Sequence, residues 1–483
     1  MSTVAHLSVR LPGSDAFDRL KAFVIENTGL AYYQDRDDDL AQRVRRRMEN
    51  TGLTDLSAYF DRLSSGTWEE EWDRLIEQLT IGETHFFRHP ELFEALRDVV
   101  APTIFYGGRD GKVRIWSAAC ANGAETHSVA MTLYREPRFD PTAWDVSILG
   151  TDINREFLLR ARRGEYSEWD LRGTSDDVRA SCFARGDRLW SVLPEYRKGV
   201  EFQYHNLVRH VFPSLAVNLL AFDVILCRNV LMYFERAVVE RLVVQMYECL
   251  REGGWLLVGH ADPSPGLFDI FETVSVPGAV LYRKNSRGQL EPTSPSTAHS
   301  IRIGSEPLPR RAIPPRAQST KRTSKPRAIQ SSAISEPSAT TNSPDGDRLT
   351  LVRAAADRGD LDGAAKSCAA WIEENPLNAV PYLHLAIVVD QKGEYVRAVE
   401  LLKKALYLDR RLIVGQYHLG RVAHRLGRDD ESLRAYHNSL RLLDESVENV
   451  VPFMDDLAAD EFRELIEFQL SSLTEAPESQ YGH

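Results

Sequence analysis

The stretch that decides the fold is AFDVILCRNVLMYF, residues 221–234. Its first half is a continuous apolar run, which is typical of a strand buried on both faces of a parallel sheet. Cys227, Arg228 and Asn229 follow where that strand should end, and a helical pattern then begins. Polar side chains at the carboxyl end of a parallel strand face the crevice in which α/β sheets bind ligands. The alternative is a buried strand followed by an ordinary loop, and the neighbouring segments decide between the two.

Strands alternate with helices on both sides of this stretch, from residue 111 to residue 284. Besides the strand at 222–226, strands are predicted at residues 113–116, 146–150, 255–258 and 280–282. Helices are predicted near residues 125–134, 155–163 and 236–250. This alternation predicts a doubly wound α/β sheet with helices on both faces. The segment 164–200 does not fit the alternation and predicts a small insertion.

Residues 1–84 are predicted to form an α-helical subdomain. Start residues and apolar spacings of three and four predict helices at residues 15–27, 37–49, 55–63 and 67–79. Arg43, Arg46 and Arg47 fall on one face of the second helix. Clustered arginines pair with carboxylates in bidentate geometry, so this face is either a docking site for an acidic partner or a solvated helix face.

The C-terminal part of the chain differs in composition from the rest. Segment 286–346 is rich in Ser, Thr, Pro and Arg and predicts a disordered linker. A 34-residue period then appears, marked in each copy by a leucine, a glycine and a small residue: Leu351, Gly359 and Ala364; Leu385, Gly393 and Ala398; Leu419, Gly427 and Ser432. This period is typical of tetratricopeptide helix pairs. Residues 347–445 therefore predict an all-α tetratricopeptide solenoid, followed by a capping helix and tail at 446–483.

Composition narrows the possible functions. The formal net charge of -11 argues against general nucleic-acid binding. The five cysteines are scattered and lack metal-ligand spacing, which predicts free thiols in a reducing compartment and no metal site. No window approaches 18 apolar residues, so we expect a cytoplasmic protein that meets membranes only through its partners.

The chemistry of the crevice is indicated by two acidic residues. The first predicted strand leads into a loop of small residues that ends at Gly123 and opens a helix at Glu125. Such a loop lets the backbone approach a ligand closely, but neither GxGxxG nor a P-loop lysine is present. Asp152 ends the second strand, where a carboxylate suits a ribose diol. Glu125 is able to pair an ammonium group. The two acids together therefore suit S-adenosylmethionine, which carries both a ribose and an amino group.

Residues 10–285 resemble the CheR-type chemoreceptor glutamate methyltransferases. The matching blocks are LTIGETHFFRHP (79–90), RIWSAACANGAETHS (114–128), GTDIN (150–154), HNL (205–207) and CRNVLMYF (227–234). The resemblance implies a Rossmann-like class I methyltransferase domain at residues 85–285 with a small β insertion. It also implies S-adenosylmethionine-dependent esterification of glutamate side chains on chemoreceptors or related sensory proteins, as in chemosensory adaptation. In one departure, the family's GEEPYS is GAETHS here, so only the second acid, Glu125, is present.

Roles for single residues follow from the same resemblance. The cofactor-binding residues that it implies are Gly82, Thr84, Arg88, Glu125, Asp152, Asn206, Leu207, Arg228 and Asn229. Tyr233 and Arg88 would be catalytic, with Tyr233 near the methyl group and the incoming substrate. The arginine face of Arg43, Arg46 and Arg47 matches the surface that meets the methylated receptor helices, and the repeats would bind a further protein partner.

The chemistry of methyl transfer to a carboxylate agrees with this resemblance. A glutamate side chain is already ionised at pH 7, so it needs no general base to attack a methyl sulfonium. The enzyme has only to align carboxylate, methyl carbon and sulfur. Two other functions remain open: a small-molecule carboxyl methyltransferase, and a catalytically weak adaptor that acts through its repeats.

Overall fold

The structure, a computed structural model, describes residues 12–105, 111–137, 144–262, 266–285, 344–357, 359–446, 451, 453 and 458–474. The predicted linker lies outside the described residues up to residue 343. Its predicted last residues, 344–346, belong instead to a helix that begins at Pro344. Proline suits a first helical turn because its missing N–H has no partner to lose there.

The N-terminal subdomain contains four α-helices among the described residues: α1 (Asp15–Thr28), α2 (Asp37–Thr51), α3 (Leu56–Ser64) and α4 (Glu69–Leu79). All four agree with the predictions to within two residues. Ser14 caps α1 by accepting the N–H of Phe17 at 3.2 Å, and Asp55 caps α3 in the same way. The apolar faces of these helices meet in a core of their own. Two short helices that were not predicted follow: α5 (Pro90–Ala95) and, after a π-helical turn, α6 (Ala101–Phe105).

The strands of the molecule follow these helices in the sequence. In chain order those of the described residues are β1 (Lys112–Ala118), β2 (Asp145–Asp152), β3 (Glu165–Tyr166), β4 (Phe183–Arg185), β5 (Trp190–Val192), β6 (Val200–Tyr204), β7 (Phe222–Cys227), β8 (Leu250–Val258), β9 (Glu272–Val276) and β10 (Ala279–Arg283). Helices α7 (Ala124–Tyr134), α8 (Arg155–Arg163), α9 (Asp176–Cys182) and α10 (Arg236–Cys249) lie between them.

The central sheet, counted over the described residues, has seven strands in the order β6-β2-β1-β7-β8-β10-β9. Strands β6, β2, β1, β7 and β8 are parallel, and β10 and β9 complete the sheet in antiparallel pairing. Every residue of β7 is buried, as its apolar run predicts. The predicted doubly wound α/β sheet is therefore confirmed, whereas β6 and β9 were not predicted.

Strands β3, β5 and β4 form a separate small antiparallel sheet with α9 in the segment predicted as an insertion. Its apolar side chains pack with Phe86, whose ring lies 4.8 Å from that of Phe183. The insertion thus holds the segment before α5 in place.

The C-terminal region is α-helical throughout its described residues. Its helices are α11 (Pro344–Asp357), α12 (Leu361–Glu374), α13 (Ala379–Gln391), α14 (Tyr395–Leu408), α15 (Ile413–Arg425), α16 (Asp429–Asp444) and α17 (Ala459–Thr474). Gly359, Gly393 and Gly427 follow α11, α13 and α15 with φ of 80°, 73° and 68°. Only glycine adopts this left-handed conformation without strain, which explains its recurrence. Each helix packs against the next, and none in the described part of the chain has the length and apolar character needed to cross a bilayer.

These C-terminal helices pack against the edge of the central sheet. Arg425 of α15 forms a two-point ion pair with Glu201 of β6, one of its contacts being 2.8 Å long. The last helix, α17, packs on β6 and α8, and Arg155 of α8 lies 2.5 Å from Glu464. The C-terminal helices and the sheet therefore share one buried surface.

Candidate functional site

A cleft lies at the carboxyl ends of β1, β2 and β7. The register pairs Ala118 with both Thr151 and Cys227, so these three strands end side by side. The enclosed part of the cleft measures about 90 Å³. The structure brings five of the predicted site residues to its wall: Asp152, Asn206, Leu207, Asn229 and Tyr233.

The loop from β1 to α7 forms one wall. Ala119, Ala121 and Gly123 have φ of 57°, 48° and 80°, so the backbone turns tightly with small side chains. A Cβ at Gly123 would lie 2.6 Å from the Cβ of Ala161, so α7 packs closely only because this residue is glycine. Ala119 and Ala121 line the cleft, and their small size leaves room for a ligand.

Asp152 is the acidic residue of the cleft. It is buried, and its two oxygens accept the N–H groups of Ala121 at 2.8 Å and Asn154 at 2.9 Å. Burial raises the pKa of Asp152 to about 6, although these N–H groups act in the opposite direction. A carboxylate has room for about four hydrogen bonds, so Asp152 keeps acceptor capacity for a ligand's hydroxyl groups.

Asn206 shapes the far side of the cleft. Its side-chain oxygen accepts the backbone N–H of Val208 at 3.0 Å, and its NH₂ donates to the carbonyl of Asn27 at 2.7 Å. The amide thus joins the HNL block to the end of α1, while Leu207 offers an apolar surface to the cleft.

Glu125 and Arg228 form a buried ion pair beside the cleft. Arg228 Nη1 lies 2.9 Å from Glu125 Oε2, and Ser117 donates to Glu125 Oε1 at 2.8 Å. Arg228 also donates to the backbone carbonyl of Arg88 at 2.5 Å. These residues lie next to the enclosed volume and do not line it. The pair fixes the carboxylate that was predicted to hold the cofactor's amino group.

Asp262 holds the loop that carries Arg228 and Asn229, a role that the sequence analysis missed. Its carboxylate accepts the N–H of Asn229 at 2.7 Å and that of Gly259 at 2.8 Å. Asn229 has a φ of 58°, so this anchoring supports a strained backbone next to the cleft. The signal was the position of Asp262 just after the predicted strand at residues 255–258.

Tyr233 stands at the rim of the cleft. Its ring lies edge-on to that of Tyr32, with the ring centres 5.9 Å apart. Burial raises the pKa of Tyr233, so its hydroxyl stays protonated at neutral pH. Tyr32 follows α1, so the N-terminal subdomain forms part of this rim.

The predicted residues of the THFFR block lie outside the enclosed cleft. Arg88 donates from its guanidinium to the carbonyl of Glu83 at 2.7 Å, and the carbonyl of Thr84 accepts from Arg172 at 3.5 Å. A Cβ on Gly82 would lie 2.3 Å from the ring of Phe157, so glycine is required there for packing.

Further residues line the cleft without having been predicted: Thr28, Leu30, Thr80, Ile81, Phe157 and His205. Thr80, Ile81 and His205 fall inside the matching blocks and could have been found there. Thr28, Leu30 and Phe157 lie outside those blocks and carried no signal.

The three predicted docking arginines differ in their surroundings. Arg47 lies 2.6 Å from Glu71, which is 3% exposed and also accepts the hydroxyl of Tyr59. Arg43 pairs with Asp39 at 3.1 Å and donates to the carbonyl of Gln78. Arg46 is exposed. Arg43 and Arg47 therefore hold the helical subdomain together, and Arg46 is the member of the set that faces solvent.

Cys227 is not a nucleophile. All five cysteines are buried and free, and burial raises the pKa of the Cys227 thiol well above its ordinary value. A protonated buried thiol is inert, so Cys227 serves the packing of β7.

Known families match the two N-terminal parts of the chain. Residues 15–80 match the description "CheR methyltransferase, all-alpha domain", and residues 82–280 match "CheR methyltransferase, SAM binding domain". Among solved structures, the chain is similar to a T3SS complex from Aeromonas hydrophila, with 17% identity and a TM-score of 0.24 over 27% of this chain and 83% of that one. A similarity this low carries no conclusion.

Curated relatives cover the same two parts. Chemotaxis protein methyltransferase Cher2 of Pseudomonas putida is 26% identical over 275 residues, which span 56% of this chain and 98% of that protein. The chemotaxis protein methyltransferase of Escherichia coli is 31% identical over 268 residues, which span 54% of this chain and 89% of that protein. By both its matched domains and these relatives, the chain belongs to the CheR methyltransferase family.

Proposed function

We propose that this chain transfers the methyl group of S-adenosylmethionine to glutamate side chains on the cytoplasmic methylation helices of chemoreceptors. The observation that carries this function is the pair of acidic groups at one edge of the sheet, with Asp152 inside the cleft and Glu125 beside it. The relatives named as chemotaxis protein methyltransferases support the same activity.

The residues of the cleft fit S-adenosylmethionine. Asp152 keeps acceptor capacity for a ribose diol, and a ligand's hydroxyl donors would offset the burial of its charge. Ala119 and Ala121 leave space over the β1–α7 loop. We propose that Asn206 and Leu207 contact the adenosine end of the cofactor and that Thr84 and Arg88 border its methionine end.

Glu125 would hold the amino group of the cofactor, and Arg228 with Asn229 would close the pocket. Gly82 contributes through its packing on Phe157. The enclosed part of the cleft, about 90 Å³, opens to solvent.

Bound S-adenosylmethionine supplies a methyl group on a cationic sulfur, which a glutamate oxygen attacks as the carbon–sulfur bond breaks and its electron pair stays on sulfur. The chain has no proton to remove, because the attacking carboxylate is already ionised. Its task is to position the carboxylate and to exclude water. Tyr233 and Tyr32 form the wall beside the open side of the cleft. Burial raises the pKa of Tyr233, and Arg88 lies close enough to offset part of that rise. These three residues are suited to guiding the substrate carboxylate.

We further propose the division 1–84, 85–285, 286–343, 344–445 and 446–483, in which the boundary after the linker follows the start of α11 at Pro344, with tetratricopeptide repeats in the fourth part that place the enzyme on a cytoplasmic partner. The three left-handed glycines at a 34-residue period support this. Residues along the whole lengths of α13 and α15 are buried, partly against the sheet edge. A partner therefore either binds the outer helices or displaces this contact.

Transfer of radiolabelled methyl groups to a soluble chemoreceptor fragment tests the function. Label that is released by mild base, and that is lost when the receptor's glutamates are replaced by glutamine, is the expected result. Labelling of a metabolite extract without labelling of receptor would favour the small-molecule enzyme. If S-adenosylhomocysteine at millimolar concentration shows no binding in calorimetry, the enzyme assignment is wrong.

A further inference from the structure

The insertion places one buried carboxylate between two segments that lie next to Glu125. This carboxylate belongs to Asp170, in the turn after β3. One of the two segments is the loop from β1 to α7, and the other is the THFFR block at residues 84–88. Asp170 contacts both segments, although it does not line the cleft.

The side chain of Asp170 holds the loop from β1 to α7. Its Oδ1 accepts the NH₂ of Asn122 at 3.0 Å, and the two residues are 6% and 4% exposed. Asn122 Oδ1 in turn accepts the N–H of Ala124, the first residue of α7, at 3.2 Å. Tyr166 of β3 donates its hydroxyl to the carbonyl of Asn122 at 2.9 Å. These hydrogen bonds fix where α7 begins and therefore where Glu125 lies.

The backbone of Asp170 holds the THFFR block. Its carbonyl accepts the N–H of Phe86 at 2.9 Å, and Phe86 is fully buried. Two residues further along the chain, the carbonyl of Arg88 accepts from Arg228, which pairs with Glu125. A second series of contacts therefore connects Asp170 with Glu125.

The carboxylate of Asp170 is also fixed within its own turn. Its Oδ2 accepts the N–H of Ser167 at 2.8 Å and the hydroxyl of Ser167 at 2.7 Å. Three donor groups thus share this one acceptor, and removing it would leave them without their partner. Because an unsatisfied buried donor costs more than one hydrogen bond contributes, the turn depends on an acceptor at this position.

We propose that Asp170 is a positioning residue of the methyl-transfer site, which holds Glu125 and the THFFR block in place for the methionine end of S-adenosylmethionine. The inference rests on the proposed function, in which Glu125 holds the amino group of the cofactor. Asp170 acts through Asn122 and Phe86 and does not contact the cofactor itself. The insertion therefore serves the cofactor site.

The adenosine end of the site provides an internal reference. Asp152 ends β2, and Asn206 donates to the carbonyl of Asn27 at the end of α1, so both lie on segments other than the insertion. The compound 5′-methylthioadenosine has the adenosine part of the cofactor and lacks the amino-acid part. It therefore reports on the adenosine end alone.

Calorimetry on the full chain with S-adenosylhomocysteine and 5′-methylthioadenosine tests the proposal. Asp170→Ala should weaken binding of S-adenosylhomocysteine by about tenfold or more, because Asn122 and Ser167 lose their buried acceptor. Binding of 5′-methylthioadenosine should change by less than about threefold, which also shows that the cleft has folded. Asp187→Asn, at an exposed carboxylate between β4 and β5 of the same insertion, should leave both affinities unchanged.

A reciprocal exchange separates positioning from general support of the fold. Asp170→Asn alone brings two NH₂ groups face to face and should weaken binding of S-adenosylhomocysteine. Adding Asn122→Asp restores a donor opposite an acceptor, and the introduced carboxylate is able to accept the N–H of Ala124 as before. The double variant should therefore recover most of the affinity that Asp170→Asn loses.

Three outcomes would overturn the proposal. The first is wild-type affinity of Asp170→Ala for S-adenosylhomocysteine. The second is an equal loss of affinity for both ligands, which would mean that Asp170 supports the domain as a whole. The third is a double variant that binds no better than Asp170→Asn. Absence of S-adenosylhomocysteine binding by the wild-type chain is a separate result, which would refute the proposed function and this inference with it.

Discussion

Arg228 pairs with Glu125 beside the cleft, with Nη1 and Oε2 2.9 Å apart and both side chains largely buried. Through its other nitrogen Arg228 also binds the carbonyl of Arg88. One guanidinium at the end of β7 therefore fixes the acid of α7 and the THFFR block. Removing one partner of a buried ion pair leaves an uncompensated charge, which costs more than the pair itself contributes.

Arg228→Met should therefore lower the free energy of unfolding by about 3 kcal/mol. It should also weaken binding of S-adenosylhomocysteine at least tenfold, because Glu125 loses its fixed position. Denaturant unfolding and calorimetry measure the two effects. Arg236→Met is the matched control, since Arg236 forms an exposed pair with Glu240 and should change stability by no more than about 1 kcal/mol. If Arg228→Met binds S-adenosylhomocysteine with wild-type affinity, Arg228 does not contribute to the cofactor site.

The sequence was sufficient to place this arginine at the end of a buried strand, because an apolar run followed by polar residues is a local pattern. It could not show that Arg228 pairs with Glu125, since that contact depends on the register of β1 against β7. For the same reason Arg47 was predicted to face a partner: helical spacing shows which residues share a face, but the burial of Glu71 opposite depends on how α2 packs on α4. Strand β6 was missed because the sequence around it, after the insertion, shows no long apolar run.

Asp152 predicts a pH dependence of ligand binding. Its pKa of about 6 in the free protein reflects burial, and ribose hydroxyl donors favour the ionised form. Below pH 6 a proton must be lost on binding, so the dissociation constant for S-adenosylhomocysteine should rise by up to about tenfold per pH unit. Above pH 7 it should be constant. Burial lowers the pKa of His205 in the same cleft well below its ordinary value, so that ring does not titrate in this window.

Calorimetry between pH 5 and pH 8 checks this dependence. Asp152→Asn should bind more weakly at pH 8 and lose the dependence. Asp177→Asn, at a mostly exposed carboxylate, should keep the wild-type profile. The same slope in Asp152→Asn as in the wild type would assign the titration to another group.

Substitutions of Arg47 and Arg46 should have different effects, the first on stability and the second on receptor methylation. Arg47→Met removes the partner of buried Glu71 and should lower the free energy of unfolding by about 3 kcal/mol. Arg46→Glu changes an exposed residue and should alter stability by less than about 0.5 kcal/mol. It should nevertheless slow methylation of a receptor fragment, because its charge then repels the acidic receptor surface, while affinity for S-adenosylhomocysteine stays unchanged. Arg46→Lys, which keeps the charge, is the control. Receptor methylation at the wild-type rate in Arg46→Glu would contradict a docking role.

The contact between α17 and α8 should weaken as the pH rises. Arg155 lies between Glu464 at 2.5 Å and Asp73 at 3.1 Å, and burial raises the pKa of Glu464 to about 7 and also raises that of Asp73. The docked form therefore binds more protons than the undocked form between about pH 4.3 and pH 7, so its stability falls across that range. Hydrogen exchange in α17, corrected for intrinsic rates, should be faster at pH 8 than at pH 6. Glu464→Gln should remove most of this difference, and Glu467→Gln, an exposed position on the same helix, should retain it. If Glu464→Gln shows the full wild-type difference, the pH dependence arises elsewhere.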